Sequence, residues 1–177
     1  MAESYLTKNA LAMALKDLMR EEPFSKITIT DICKKCQMNR KSFYYHFKDK
    51  YDLVNWIYDT EYIETVSNKE YNSSWEFFVD ICRYFSDNRA FYQAALDIEG
   101  QNSFSEHFKD FLEPVLEAYL KDAFHGKKLR QFQIDFYVDG FTCAIERWLK
   151  NTDPISPEDF VEGIRACILI PTDSETN

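Results

Sequence analysis

Glycine and proline are scarce in this chain, with 4 Gly and 5 Pro among 177 residues. That is too little turn material for a many-stranded β protein, and it leaves helices as the main element. No stretch approaches the roughly 20 consecutive apolar residues of a membrane span. The opening Met1-Ala2-Glu3-Ser4-Tyr5 lacks the basic-then-apolar layout of a signal peptide, so the expected compartment is the cytoplasm and no membrane partner is expected. Cysteines number 5, an odd count, and Cys33, Cys36, Cys82, Cys143 and Cys167 mostly sit in apolar helical patterns, as reduced small hydrophobes do. Cys33-x-x-Cys36 has no second pair, no His-x-x-x-His partner and no preceding strand, so neither a metal nor a redox role is expected of it. There is no phosphate-cradling glycine loop. The 3 histidines, His46, His107 and His125, come without a cysteine or carboxylate set at ligand spacing. Asp135, Asp139 and Glu146 follow one helix and read as a solvated face. The expectation is a protein that is not an enzyme and carries no metal or cofactor.

What is present is apolar and aromatic: 45% hydrophobic residues, 15 Phe and 11 Tyr, enough for one domain or for a small module fused to a larger one. The net charge of −9 is unevenly spread. Residues 1–55 hold 10 Lys and Arg against 7 Asp and Glu, and the remainder holds 11 against 23. A cationic segment on an anionic body suggests one local nucleic-acid contact.

Leu11, Ala14, Leu15 and Leu18 predict a first helix over 4–21, stopped before Pro23. Thr28 is the expected N-cap of a second helix, with Asp31 closing a short-armed capping box. Cys36-Gln37-Met38 makes a turn, and Asn39 caps a third helix in which Phe43 and Phe47 point inward. Asp49 caps a fourth helix of about twenty residues, long enough to act as a lever into the next domain. From residue 72 onward the pattern stays helical. Ser73 or Ser74 and then Asn88 are the expected caps, Gly100–Ser103 a break, Pro114 a kink and His125-Gly126 a stop. A long helix then spans Leu129–Lys150, and a last one starts at Ser156-Pro157-Glu158. The fold class is all-α: an N-terminal tri-helical helix-turn-helix domain, residues 1–50, and a C-terminal helical bundle for regulation and dimerisation, residues 51–177.

The third helix carries the chemistry. A helix with an apolar face for seating and donors on the other side suits the major groove. Arg40, Lys41, Ser42 and Tyr44 would lie at or near base edges, and Thr28, Tyr45, His46 and Lys50 would face phosphates. A solvated helix face explains a charge run alone. It does not explain the turn length, the placed caps and the aromatic residues together. The alternative class is a helical protein–protein interaction module without DNA binding.

Residues 5–63 resemble the DNA-binding domain of the TetR family of bacterial regulators. The resemblance rests on Phe43-Tyr44-Tyr45-His46-Phe47-Lys48-Asp49-Lys50-Tyr51-Asp52-Leu53 and on Thr28-Ile29-Thr30-Asp31-Ile32. It implies that Thr28, Arg40, Lys41, Ser42, Tyr44, Tyr45, His46 and Lys50 take the DNA-contacting positions. The family's usual turn glycine is Gln37 here, which implies a left-handed backbone at a non-glycine residue. Gly100-Gln101-Asn102-Ser103-Phe104, preceded by Asn88-x-x-Phe91-Tyr92, is similar to the subgroup that includes an activator of dihydroxyacetone kinase operons. That similarity implies a protein partner as an alternative to a small ligand.

One tri-helical head reads few bases, so a homodimer on a palindromic double-stranded operator is expected. Its interface is expected on the last two helices, at Phe132, Phe136, Gly140, Phe141, Ala144, Trp148, Phe160, Ile164 and Ile168. An ordinary intrachain core is the other use for such faces. The middle aromatics show no polar cluster that would single out an effector pocket.

Overall fold

The computed structural model describes residues 2–67, 69–98, 100, 102–120 and 130–168, without the side chains of 2, 3, 74, 119, 120 and 168. Helices follow one another through these segments, and no strand occurs among the described residues. The all-α class expected from the sequence is what is found.

Helix α1 spans Ala2–Glu21 and buries Leu11, Ala14, Leu15 and Leu18. Beyond Pro23 the chain turns through Lys26 N–H to the Pro23 carbonyl (2.9 Å) and Ile27 N–H to the Phe24 carbonyl (3.1 Å). Helix α2, Ile29–Lys35, starts at a complete capping box. The Asp31 N–H donates to Thr28 Oγ1 (3.2 Å) and the Thr28 N–H to Asp31 Oδ2 (3.0 Å). Helix α3, Arg40–His46, is capped by Asn39, whose Oδ1 accepts from the Ser42 N–H at 2.9 Å. Helix α4, Lys50–Tyr58, is capped by Asp49, which accepts from the N–H groups of Tyr51 and Asp52.

The fourth helix does not end at Tyr58. A π-helical turn, Asp59–Ile63, and then α5, Glu64–Val66, continue it, so the lever expected from the sequence has a wider turn set into it.

The body comprises α6 (Ser74–Asp87), α7 (Arg89–Leu96), α8 (Phe104–Leu120), α9 (Arg130–Lys150) and α10 (Pro157–Ile168). Ser73 caps α6 as expected. Asn88 does not cap α7. It closes α6 instead, its Nδ2 donating to the Tyr84 carbonyl at 3.0 Å, because the two helices share it as their only joining residue. Pro114 lies inside α8. The expected stop at His125-Gly126 lies outside the described residues. Arg89 closes the far end of α9 by donating to the carbonyls of Trp148 (2.8 Å) and Asn151 (2.7 Å).

Helix α8 packs on α9, and α10 on α6. Helix α1 touches α2, α3 and α4 on one side and α7 on the other. The buried residues form one continuous core from Phe43 and Phe47 through Leu53, Ile57 and Tyr58 to Phe85, Tyr92, Phe104 and Phe108. The expected division between residues 50 and 51 falls at the start of α4.

Candidate nucleic-acid interface

Helix α3 is two turns long and divides cleanly. Phe43 (0% exposed) and Phe47 (3%) seat it in the head, while Tyr44 (50%) and Tyr45 (82%) stand in solvent. Arg40 and Lys41 are exposed, and Ser42 and His46 are half-buried at the edges of that face. Two exposed tyrosines cost apolar surface in water, which a helix held only for its packing would not need. Arg40 Nη2 donates to the Tyr44 hydroxyl at 3.2 Å, and its guanidinium lies 5.7 Å from the ring centroid. This contact presents the arginine fork one turn along from its own backbone.

Among the described residues no carboxylate lies within ion-pair distance of Arg40 or Lys41. The nearby acids have other work. Asp31 and Asp49 accept backbone N–H groups as caps, and Asp52 accepts the Lys48 N–H at 2.9 Å. Their carboxylates are turned to backbone N–H groups, not to Arg40 or Lys41.

The turn between α2 and α3 has the expected strain. Gln37 adopts φ 57°, the left-handed region, and the Met38 N–H returns to the Cys33 carbonyl at 2.8 Å. Cys33 is buried and Cys36 half-buried, and burial pushes both thiols up from the ordinary cysteine value. They pack as hydrophobes at the base of the turn.

Thr28 is exposed at the start of α2, its hydroxyl on Asp31 Oδ2 at 2.5 Å. Lys50 stands apart from the other basic residues. Its Nζ donates to the carbonyls of Phe24 (2.6 Å) and Ile27 (2.8 Å) and lies 4.2 Å from the Phe24 ring centroid. Burial pulls its pKa below the usual lysine value. The structure thus gives Lys50 a role that the sequence did not disclose: it ties the start of α4 to the α1–α2 connection. An ammonium has three hydrogens, so one remains for a phosphate.

Two family models match this chain. "Bacterial regulatory proteins, tetR family" covers residues 13–57, and "Transcriptional regulator C-terminal region" of the same family covers residues 72–169, more than half the chain. The chain belongs to the TetR family of transcriptional regulators. It is similar to the dhaKLM operon transcriptional activator DhaS of Lactococcus lactis subsp. lactis (strain IL1403). The two are 27% identical over 151 residues, which cover 83% of this chain and 81% of the relative. Among solved structures, a TetR regulator from Streptococcus agalactiae 2603V has a TM-score of 0.77 at 21% identity, covering 94% of this chain and 96% of that one. A dihydroxyacetone kinase operon activator, DhaS, has a TM-score of 0.68 at 22% identity, covering 93% and 95%. TetR family members bind DNA and regulate transcription, and α1–α3 here are the helix-turn-helix unit. No described helix is long and apolar enough to cross a membrane.

The residues expected at a dimer interface separate into two groups. Phe141 and Trp148 face the chain's own core: Phe141 stacks on Phe78 (5.0 Å between centroids) and Trp148 on Phe160 (4.7 Å). Helix α9 is apolar on more than one side, and the side toward α6 and α10 takes these two residues. Phe132 (69% exposed) and Phe136 (65%) project outward, with Gly140 exposed and Ala144, Phe160 and Ile164 half-buried. Phe136, Gly140, Ala144, Phe160, Gly163 and Ile164 line an open apolar groove of about 460 Å³ between α9 and α10. The side chain of Ile168 lies outside the described residues.

Proposed function

We propose that this TetR family regulator acts as a homodimer on an operator of two-fold symmetry, with one α3 in each of two successive major grooves. Arg40, Lys41, Ser42 and Tyr44 read base edges. Thr28, Tyr45, His46 and the third hydrogen of Lys50 meet phosphates. Residues 1–50 form the reading head and 51–177 the regulatory and dimerising body. The observation that carries this reading is the division of α3: both phenylalanines sealed inside, and arginine, lysine and two tyrosines outside with no acidic neighbour left unoccupied.

The α9–α10 groove is the dimer surface in this reading, because a contiguous apolar surface rimmed by polar residues marks an interface. The empty space in front of Gly140 and Gly163 admits a closely approaching helix. A small molecule or a protein partner changes the spacing of the two heads and with it the operator affinity. The similarity to dihydroxyacetone kinase operon activators suggests activation as one outcome of that signal.

Footprinting on DNA upstream of the chain's own gene and its neighbours tests the reading. Arg40→Ala is expected to cost about 1–3 kcal/mol of specific binding and to relax preference at one base position, leaving the fold intact. A chain that protects no such DNA, or an Arg40→Ala, Lys41→Ala double variant that binds as before, removes the proposal.

A further inference from the structure

The π-turn at Asp59–Ile63 is the meeting point of three other helices. A π-turn widens the helix by one residue, breaks the regular bond ladder and is a place where helices bend. Here it sits in the lever that leads from the reading head into the body, and both of its carboxylates are held from outside. His107 of α8 meets Asp59 through Nε2 to Oδ1 at 2.7 Å. Lys16 of α1 donates to Glu61 Oε1 at 2.6 Å, and the Tyr84 hydroxyl of α6 donates to Glu61 Oε2 at 3.2 Å. Tyr84 in turn meets the Tyr92 hydroxyl of α7 at 2.9 Å. Next to the turn, the hydroxyl of fully buried Tyr58 has no hydrogen-bond partner among the described residues. A joint with an unsatisfied neighbour and external ties differs physically from an ordinary stretch of helix.

We propose that His107 is a positioning residue for DNA reading, and that its bond to Asp59 is a proton-dependent clasp fixing the angle of the lever. Lys16 and Glu61 form one arm of the joint. His107 and Asp59 form the variable arm. With the imidazole protonated the contact is a charge-assisted bond, about twice as strong as the neutral one. Facing His107 are Asp59 on the π-turn, Asp110 on its own helix, and the edge of the Tyr58 ring at 6.3 Å. Both carboxylates favour the imidazolium. Tyr58 contributes no charge, because burial drives its phenol pKa well up. The hydrogen bond that His107 donates to Asp59 accordingly holds the His107 pKa above the ordinary histidine value. The clasp is closed at low pH and loosens as pH rises through that value. This inference rests on the DNA-reading function proposed above.

The test uses the full chain and its footprinted operator DNA, with affinity measured by fluorescence anisotropy from pH 6 to pH 8 at fixed salt. His107→Gln keeps the shape of the contact and removes the charge change, and Asp59→Asn keeps the shape and removes the carboxylate that makes the contact depend on that charge. Both are expected to abolish a component of about fivefold in the pH dependence of affinity, the lower end of usual coupling between sites. His46→Gln is the control, since His46 lies on the proposed DNA face and not at the π-turn. Amide hydrogen exchange over residues 59–67, corrected for intrinsic rates, is expected to slow at pH 6 in the unmodified chain and to show no pH response in His107→Gln. Identical pH profiles of affinity in the unmodified chain and His107→Gln overturn the proposal, whatever the exchange shows. Absence of operator binding by the unmodified chain at every pH overturns the DNA-reading function instead. The exchange measurement then decides the clasp alone, and matching exchange in the two proteins refutes it.

Discussion

The ammonium of Lys50 lies over the ring of Phe24 and donates to the carbonyl of the same residue, 26 positions earlier in the chain. One side chain thereby joins the first residue of α4 to the connection between α1 and α2. Lys50→Met retains the aliphatic stem and removes the donors. Losing hydrogen bonds from a charged group to partly buried carbonyls is expected to lower stability by about 1.5–3 kcal/mol in urea unfolding. If the third hydrogen meets a phosphate, the slope of log affinity against log salt also becomes shallower by about 0.9. An unchanged slope assigns Lys50 to the head's architecture alone, and unchanged stability removes the tie.

The residues that sequence reading placed well are those whose partners are near in the chain. Thr28, Asn39, Asp49 and Ser73 cap helices through N–H groups two or three residues on, so each is legible from a few consecutive letters. Phe43 and Phe47 against Tyr44 and Tyr45 follow from helical period. Contacts of long range were not visible. His107 looked isolated because its carboxylate, Asp59, lies 48 residues away, and Arg89 serves a helix end 59 residues on. The π-turn was hidden because the apolar stripe Leu53, Ile57, Tyr58, Tyr62 continues across it. Phe136 and Phe141 could not be told apart because α9 is apolar on two sides, and only the position of α6 and α8 decides which side is inner.

Gln37 holds a backbone conformation that suits glycine, at φ 57°. Its side chain is exposed, so little packing compensates the strain. Gln37→Gly is expected to stabilise the head by about 0.5–1 kcal/mol, the left-handed strain of roughly 1–2 kcal/mol less the added freedom of glycine in the unfolded chain. In thermal unfolding that is a rise of about 2–4 °C per kcal/mol for a chain of this size. Gln37→Val should move the midpoint the opposite way. A lower midpoint for the glycine variant would mean that the glutamine side chain holds the turn by contacts stronger than its strain.

Asp31 links the cap of α2 to pH. The Thr28 hydroxyl and then the Thr28 N–H donate to its carboxylate and hold its pKa below the ordinary aspartate value. A carboxyl depressed in the folded state contributes stability that is present above its unfolded pKa, about 3.9, and is lost as pH falls through the lower folded value. Thr28→Ala removes the first of these donors and the cap. It is expected to cost about 1 kcal/mol at neutral pH. Its deficit against the unmodified chain should shrink below pH 4, because acid removes from the unmodified chain the hydroxyl–carboxylate bond that the variant already lacks. Circular dichroism at 222 nm across pH 2–7 in fixed urea measures this. A deficit constant down to pH 2 would show that the cap does not depend on the Asp31 charge.

Phe136 and Phe141 lie on different sides of α9, one exposed and one buried. Phe141 is stacked on Phe78 inside the protomer, so Phe141→Ala is expected to cost about 3–5 kcal/mol of folding stability. Phe136 stands 65% exposed on the rim of the α9–α10 groove, where a charge is harmless to a lone protomer. Two symmetric copies would bring two charges into one apolar seam. Phe136→Glu is therefore expected to give a folded monomer in sedimentation, with unchanged far-ultraviolet circular dichroism. Its operator binding should weaken steeply, because a single head engages one half-site. If Phe136→Glu still sediments as the unmodified protein does, the protomers meet through another surface, and the groove between α9 and α10 loses its assignment.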